Sequence, residues 1–309
     1  HFGGMADLHK GVLRHVNSKT FVEDPLRVLR AAQFAARFDF TLAPETVNLA
    51  RTMDLSALAS ERIFGELEKA LLKAERPSVF FREMSRMEQM TLWFPEVEQL
   101  KGIGQNPLYH PEGDVYIHSM QVLDRAALYR EQAKDPVGFM LSALVHDFGK
   151  ITATRTTEKG IQAIGHETEG LPLVETFIRR LTNEAGLRKY VLNMTRLHMR
   201  PNRLAADHAR LQATNRMFDE SVDPRGLLLL ARCDRSLRQR TEEIREEEAF
   251  LEERLVLFEE IMARPCVMGA DLVKAGLKPG PAFSDVLSFA HTLRLSGVEK
   301  EKALPQILS

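Results

Sequence analysis

LSALVHDFGKITATR, residues 141–155, ends an apolar run with His146 and Asp147 side by side, then passes through Gly149 and Lys150. Apolar helices ordinarily end in caps and solubilising charges. A His-Asp pair at the mouth of a core helix needs another reason. A shared metal ion supplies one, because both side chains are ligands for divalent cations. Adjacent ligands reach one ion most easily at a helix end, where the backbone turns. Gly149 is expected to allow that turn.

Outward from this stretch, nearly every segment spaces its apolar residues at three and four. Helices are expected over 24–38, 60–74, 77–90, 115–132, 135–149, 170–182, 188–199 and 223–239, then over a Glu-rich stretch to about 262, and over 281–297. Asp24-Pro25, Asp135-Pro136 and Asp223-Pro224 each place a capping carboxylate before a residue preset for the first helical turn. Only GVLRHV (11–16) has strand character, and it has no evident partner. Gly/Pro-rich breaks fall at 101–114 and 263–281. The fold class is therefore all-α, with one residual strand.

The 309 residues suffice for two or three cores, and 44% hydrophobic with 28% charged residues is ordinary globular composition. No apolar run approaches the ~20 residues of a membrane helix. Two cysteines, Cys233 and Cys266, exclude a disulfide framework and fit a reducing cytoplasm. The net charge of −1 hides an uneven distribution. Residues 178–217 carry nine Arg or Lys against Glu184 and Asp207, and residues 241–262 carry nine Glu against two Arg. Such runs read first as solvated helix faces, and second as a basic surface for a polyanion.

The central part holds His118, His146, Asp147, His166, His198 and Asp234, drawn from five expected elements. Asp234 follows GLLLLARC, so its helix is expected to be buried, and a carboxylate there should be paired or metal-bound. His1, His9, His15, His208 and His291 have no such setting, and His110 sits in a Pro-rich break.

The ordered set His118…His146-Asp147…Asp234, with LVHDFGK, resembles the HD superfamily of metal-dependent phosphohydrolases. The resemblance implies that His118, His146, Asp147 and Asp234 bind one divalent ion (Mg, Mn, Co, Ni or Zn). It also implies that His166 and His198 serve a second ion or the substrate phosphate. Asp147 and Lys150 are the expected catalytic residues, Lys150 as a phosphate-binding cation.

A second resemblance lies in FGGMADLHKGVLRHV (2–16), FVEDPLRVLRAAQFAARFDF (21–40) and GADLVKAGLKPGPAFSDVLSFAHTLRLSG (269–297). These stretches are similar to the bacterial class II tRNA nucleotidyltransferases, the CCA-adding enzymes, some of which carry an HD domain. That resemblance implies a neck helix on which Glu23, Asp24 and Arg27, with Arg30 one turn on, present a base-like edge to CTP or ATP. Asp24 and Arg27, three apart, are expected on one helix face. The implied organisation is a remnant of the nucleotidyltransferase head (1–20), a helical neck (21–105), an HD phosphohydrolase domain (106–240) and a helical tRNA-binding tail (241–309). The Asp-x-Asp pair that holds Mg in that head, and an Arg-Arg-Asp motif, belong upstream of Gly3. The chain as it stands is accordingly expected not to polymerise nucleotides.

The expected partners are tRNA, CTP and ATP, with no membrane. The expected HD activity is removal of 2′,3′-cyclic or terminal phosphate from RNA ends. A stand-alone HD nucleotide hydrolase, a non-catalytic RNA-binding module and a poly(A)-adding relative are the competing readings.

Overall fold

The computed structural model describes residues 3–107, 110–158, 160–235 and 242–308. The C-terminal end of the helix expected over 223–239, and the boundary expected at 240/241, lie outside these residues. Helices carry the fold. The expected segments form Leu26–Phe38, Ser60–Lys73, Ser78–Arg86, Val115–Ala126, Pro136–Val145, Leu171–Leu181, Ala185–Leu197, Pro224–Asp234, Glu242–Ala263 and Ala282–Leu295. All three Asp-Pro starts cap as expected: the carboxylates of Asp24, Asp135 and Asp223 accept from the backbone N–H of Leu26, Gly138 and Gly226.

The lone strand has a partner. Val12–Leu13 pairs in parallel with Thr41–Leu42, with the helices Ser18–Val22 and Leu26–Phe38 between them. A parallel pair needs a crossover of a dozen or more residues, so the two halves are far apart in sequence. Each is only two residues long, too short for alternation to mark it. Arg155–Thr157 pairs antiparallel with Gly160–Gln162, a second small sheet that the apolar pattern did not announce. Its first strand is fully exposed, so it carries no buried face to read.

Two compact units divide the chain: His1–His198 with Leu229–Arg238, and Met199–Leu228 with Gln239–Ser309. The expected four-part division is one by role; these two units are a division by packing.

In the first unit an aromatic chain runs through the core. Phe80, Phe81 and Phe94 meet edge to face at 5.2–5.8 Å, Phe94 meets Phe177 at 6.4 Å, and Phe177 meets Phe148 at 5.4 Å. Phe148 is the residue after Asp147, so the chain that supplies the site is anchored in the core by its next side chain. The helix Pro136–Val145 is buried from Gly138 through Val145. A helix apolar all round belongs in the centre of its unit. Arg180 donates to both carboxylate oxygens of Glu96 at 2.6 and 2.7 Å, a bidentate pair that commits this arginine to the fold. Arg179 pairs with Glu175.

In the second unit, Glu242–Ala263 buries Leu251, Leu255, Phe258 and Ile261, one stripe at helical spacing, and turns its glutamates outward. Arg294 donates to the carbonyls of Met262 and Arg264, capping the C-terminus of that helix. A smaller core of Val267, Leu272, Ala290 and Ala303 gathers Leu277, Phe283, Leu287 and Ile307. No helix among the described residues is long and apolar enough to cross a membrane.

Candidate metal centre

His146 follows the buried helix Pro136–Val145 as its C-cap, and Asp147 comes next. Gly149 does not turn the chain by a special conformation: its φ is −64° and ψ −20°, ordinary right-handed values. The expectation of a conformational role is corrected by its surroundings. A Cβ on Gly149 would lie 1.9 Å from the carbonyl oxygen of His166 and 2.9 Å from the backbone nitrogen of Gly170. A Cβ on Gly170 would meet Gly149 Cα at 2.7 Å. The two glycines let two backbones touch, and that contact brings the helix His166–Glu169 against the His-Asp pair.

Four imidazoles converge. Nδ1 of His146, His166 and His198 donates to the backbone carbonyl three residues earlier, Ala143, Ala163 and Thr195, at 2.9, 2.7 and 2.6 Å. Nδ1 of His118 donates to the carboxylate of Glu112 at 2.6 Å. Carbonyls and carboxylates only accept, so each Nδ1 carries its proton. Every Nε2 is thereby turned inward as the potential metal-ligating atom.

The two carboxylates meet them. Asp234 Oδ1 lies 2.9 Å from His118 Nε2 and 3.4 Å from His146 Nε2. Asp147 Oδ2 lies 3.3 Å from His146 Nε2, while its Oδ1 lies 3.2 Å from His166 Nε2 and 4.0 Å from His198 Nε2. The ligand atoms of His118, His146, Asp147 and Asp234 fall within 4.8 Å of one another, as do those of Asp147, His166 and His198. Asp147 thus offers one oxygen to each donor set. The site is deeply buried, with His118, His146 and His198 fully covered.

The charges are balanced only within the cluster. Burial pulls an imidazole down, but the carboxylates of Asp147 and Asp234 overcome it and raise His146 to about 10. Burial pushes Asp147 and Asp234 up. Lys150 and His146 hold Asp147 well below the usual carboxylate range, and His118 and His146 do the same for Asp234. Burial, with His146 and His166 beside it, lowers His198 to about 3. His146 Nε2 and Asp147 Oδ2 are buried with no hydrogen-bond partner, although Lys150 Nζ lies 2.7 Å from that oxygen. An orphaned His146 Nε2 3.3 Å from Asp147 Oδ2, in a set of imidazoles whose Nε2 atoms turn inward, fits a divalent cation well. His118, His146, Asp147 and Asp234 would hold it.

Sequence reasoning missed two contributors from the segment 101–114. Glu112 orients His118. Gln105 accepts from Lys150 Nζ at 2.6 Å. His110, set aside as lying in a break, packs edge to face on His118 at 4.7 Å and sits 3.1 Å from Glu112. Their spacing carries no helical or strand period, and the ladder bridge Gly104–Asp114 that folds the segment back is invisible locally.

The neck residues separate. Arg27 and Arg30 line a cavity of about 290 Å³ with Arg14, His15, Phe21 and Phe34. One guanidinium nitrogen of Arg27, Nη1, is buried with no hydrogen-bond partner. Asp24 is not brought into that lining. Its Oδ1 caps the helix and its Oδ2 accepts from Arg62 at 3.2 Å. Glu23 is exposed.

An HD-domain family model matches residues 115–239. The chain is 41% identical over 203 residues to the multifunctional CCA protein of Ralstonia nicotianae, covering 64% of this chain and 45% of that protein. It is 37% identical over 251 residues to that of Shewanella frigidimarina, covering 78% and 58%. The chain thus spans about half the length of these relatives. Among solved structures, the Thermotoga maritima CCA-adding enzyme complexed with tRNA shares the fold at a TM-score of 0.62 and 19% identity, over 100% of this chain and 66% of that one. A CCA-adding enzyme with ATP matches at 0.61 and 18%, over 99% and 64%. Homology across most of its length, with an HD-domain model over its middle, puts this chain in the family of the bacterial multifunctional CCA proteins.

Proposed function

We propose that the buried cluster is a metal-dependent phosphohydrolase site acting on phosphates at RNA ends. The convergence of four inward Nε2 atoms and two carboxylates carries this reading. A divalent cation bound there lowers the pKa of water and neutralises phosphate charge. The imidazole-rich set suits Ni, Co, Zn or Mn better than Mg, which prefers oxygen ligands. Lys150 faces Asp147 and Gln105, and its three N–H donors leave one for a phosphate oxygen. The substrates that fit are a 2′,3′-cyclic phosphate or a terminal phosphomonoester on RNA, the ends a CCA-adding protein meets.

The neck cavity is the proposed site for CTP or ATP, with Arg27 and Arg30 as donors to base or phosphate. Asp24 and Glu23 act there only if the Asp24–Arg62 pair opens. tRNA is the proposed macromolecular partner, in keeping with the tRNA complex of the Thermotoga maritima enzyme. Nucleotide transfer is not assigned to this chain, in which no Asp-x-Asp pair occurs.

The test is phosphatase and 2′,3′-cyclic phosphodiesterase activity after chelation, followed by add-back of Mg, Mn, Co, Ni or Zn, beside Asp147→Ala. Activity restored by a metal, and absent in the variant, supports the reading. Silence with every metal in folded protein refutes it and leaves an RNA-binding module.

A further inference from the structure

Gln105 is a buried residue that the hydrolase reading does not yet use. Only 5% of it is exposed. Its Oε1 accepts from Lys150 Nζ at 2.6 Å, and the same Nζ lies 2.7 Å from Asp147 Oδ2. An ammonium only donates, so the amide atom that faces Lys150 must be the oxygen. The amide orientation is thereby fixed by chemistry. Its Nε2, at the other end of the same short amide, is buried and has no hydrogen-bond partner among the described residues. A buried N–H₂ left unpaired is costly unless something accepts from it.

The backbone around Gln105 is held firmly: its N–H donates to the Gly113 carbonyl at 3.0 Å, Val115 N–H donates to Ile103 O at 3.0 Å, and Gly104 bridges to Asp114. The same segment sends Glu112 to His118. The side chains that retain some exposure beside the cluster are Lys150 at 11%, Asp234 at 13% and His110 at 24%. Gln105 Nε2 shares one carbon with the oxygen that holds Lys150 Nζ, so an acceptor bound at that ammonium lies within an amide's span of it.

The geometry points to Gln105 as a substrate-binding residue whose Nε2 donates to a non-bridging oxygen of a phosphate group bound beside Lys150. This rests on the hydrolase reading and extends it. Lys150 supplies charge, and the Gln105 amide supplies a fixed direction. A phosphoryl group presents several acceptor oxygens and satisfies both donors together. A neutral donor set rigidly in a buried site selects an anion with an accepting oxygen at that point.

The experiment is calorimetric titration of the metal-loaded chain with inorganic phosphate. The proteins are wild type, Gln105→Met, Lys150→Met and the double variant, with metal affinity measured for each. Because Gln105 also holds Lys150, the single variant alone does not separate direct contact from positioning. The cycle does. Direct donation predicts roughly tenfold weaker phosphate binding on Gln105→Met, both with Lys150 in place and in the Lys150→Met background. The metal affinity of Gln105→Met should stay within about threefold of wild type. If the Gln105→Met loss vanishes in the Lys150→Met background, the residue acts only through Lys150 and the inference is overturned. Complete loss of phosphate binding in Lys150→Met with Gln105 intact overturns it as well. Wild type that binds no metal at all refutes the hydrolase reading and this inference together. Metal binding with an unaltered phosphate response to Gln105→Met refutes this inference alone.

Discussion

Glu112 accepts a 2.6 Å hydrogen bond from Nδ1 of His118, and that bond decides which nitrogen of His118 faces Asp234. Glu112 is itself held to about 2 despite burial, which pushes a carboxyl up, because His118 donates to it. A carboxylate behind a ligating histidine fixes the ring and raises its basicity. Glu112→Ala should weaken metal binding about 10- to 100-fold. Glu112→Gln, whose carbonyl oxygen still accepts, should lose less. Competition against a chromogenic chelator reads both, and affinities equal to wild type would remove Glu112 from the centre.

Asp147 is the one residue, among those described, with an oxygen toward each donor set. Asp147→Ala should abolish phosphate hydrolysis and cut the metal content to background. Affinity for a tRNA acceptor-stem RNA should change less than about twofold, since Asp147 is almost fully covered and offers RNA nothing to touch. Filter binding beside elemental analysis checks this. An equal loss of hydrolysis and RNA binding in folded variant protein would contradict the assignment.

In the metal-free protein His146 is raised to about 10 by Asp147 and Asp234, so it holds a proton at neutral pH. A cation must displace that proton. Metal affinity should therefore rise with pH between about 6 and 9, by up to about tenfold per unit for one proton released. The same shift has a stability consequence of opposite sign. A histidine raised from 6.5 stabilises the metal-free fold fully below 6.5, and that contribution is lost as pH climbs toward about 10. Chelated protein should lose melting temperature over this window, and metal-loaded protein should lose less. A flat profile in both states would show that His146 is not coupled to the carboxylates.

Gly149→Ala places a methyl within 1.9 Å of a backbone carbonyl that has no room to retreat. The cost should reach or exceed about 3 kcal/mol, the upper end for overpacking. Gly165→Ala is the contrast. Its φ is +80° and the space around it is open, its nearest neighbour being a Glu169 side-chain oxygen at 3.9 Å. Backbone strain alone predicts about 1 kcal/mol there. Urea unfolding orders the two, and the reverse order would refute the close-approach account.

Arg27 lines the neck cavity and has a buried guanidinium nitrogen with no hydrogen-bond partner, and Asp24 is bound elsewhere. Arg27→Ala should weaken CTP and ATP binding by about tenfold or more, measured by calorimetric titration. Arg62→Ala, which frees Asp24, should change the preference between the two nucleotides more than overall affinity. Unchanged binding in Arg27→Ala would remove it from nucleotide recognition.

Much of this protein is settled by its sequence alone. The long helices, their Asp-Pro caps and the set of candidate ligands from His118 to Asp234 that the structure brings together were legible, because helix periodicity and capping act over three or four residues and ligand chemistry resides in residue type. The tertiary structure alone decided what depends on distant backbones meeting. It paired Val12–Leu13 with Thr41–Leu42, turned Asp24 from the cavity to Arg62, and brought Glu112 and Gln105 under the ligands. It also gave Gly149 its reason, a contact with His166 and Gly170 rather than a turn of its own. Those outcomes follow from packing between segments distant in sequence, and no local pattern says which partner a side chain or a strand will meet.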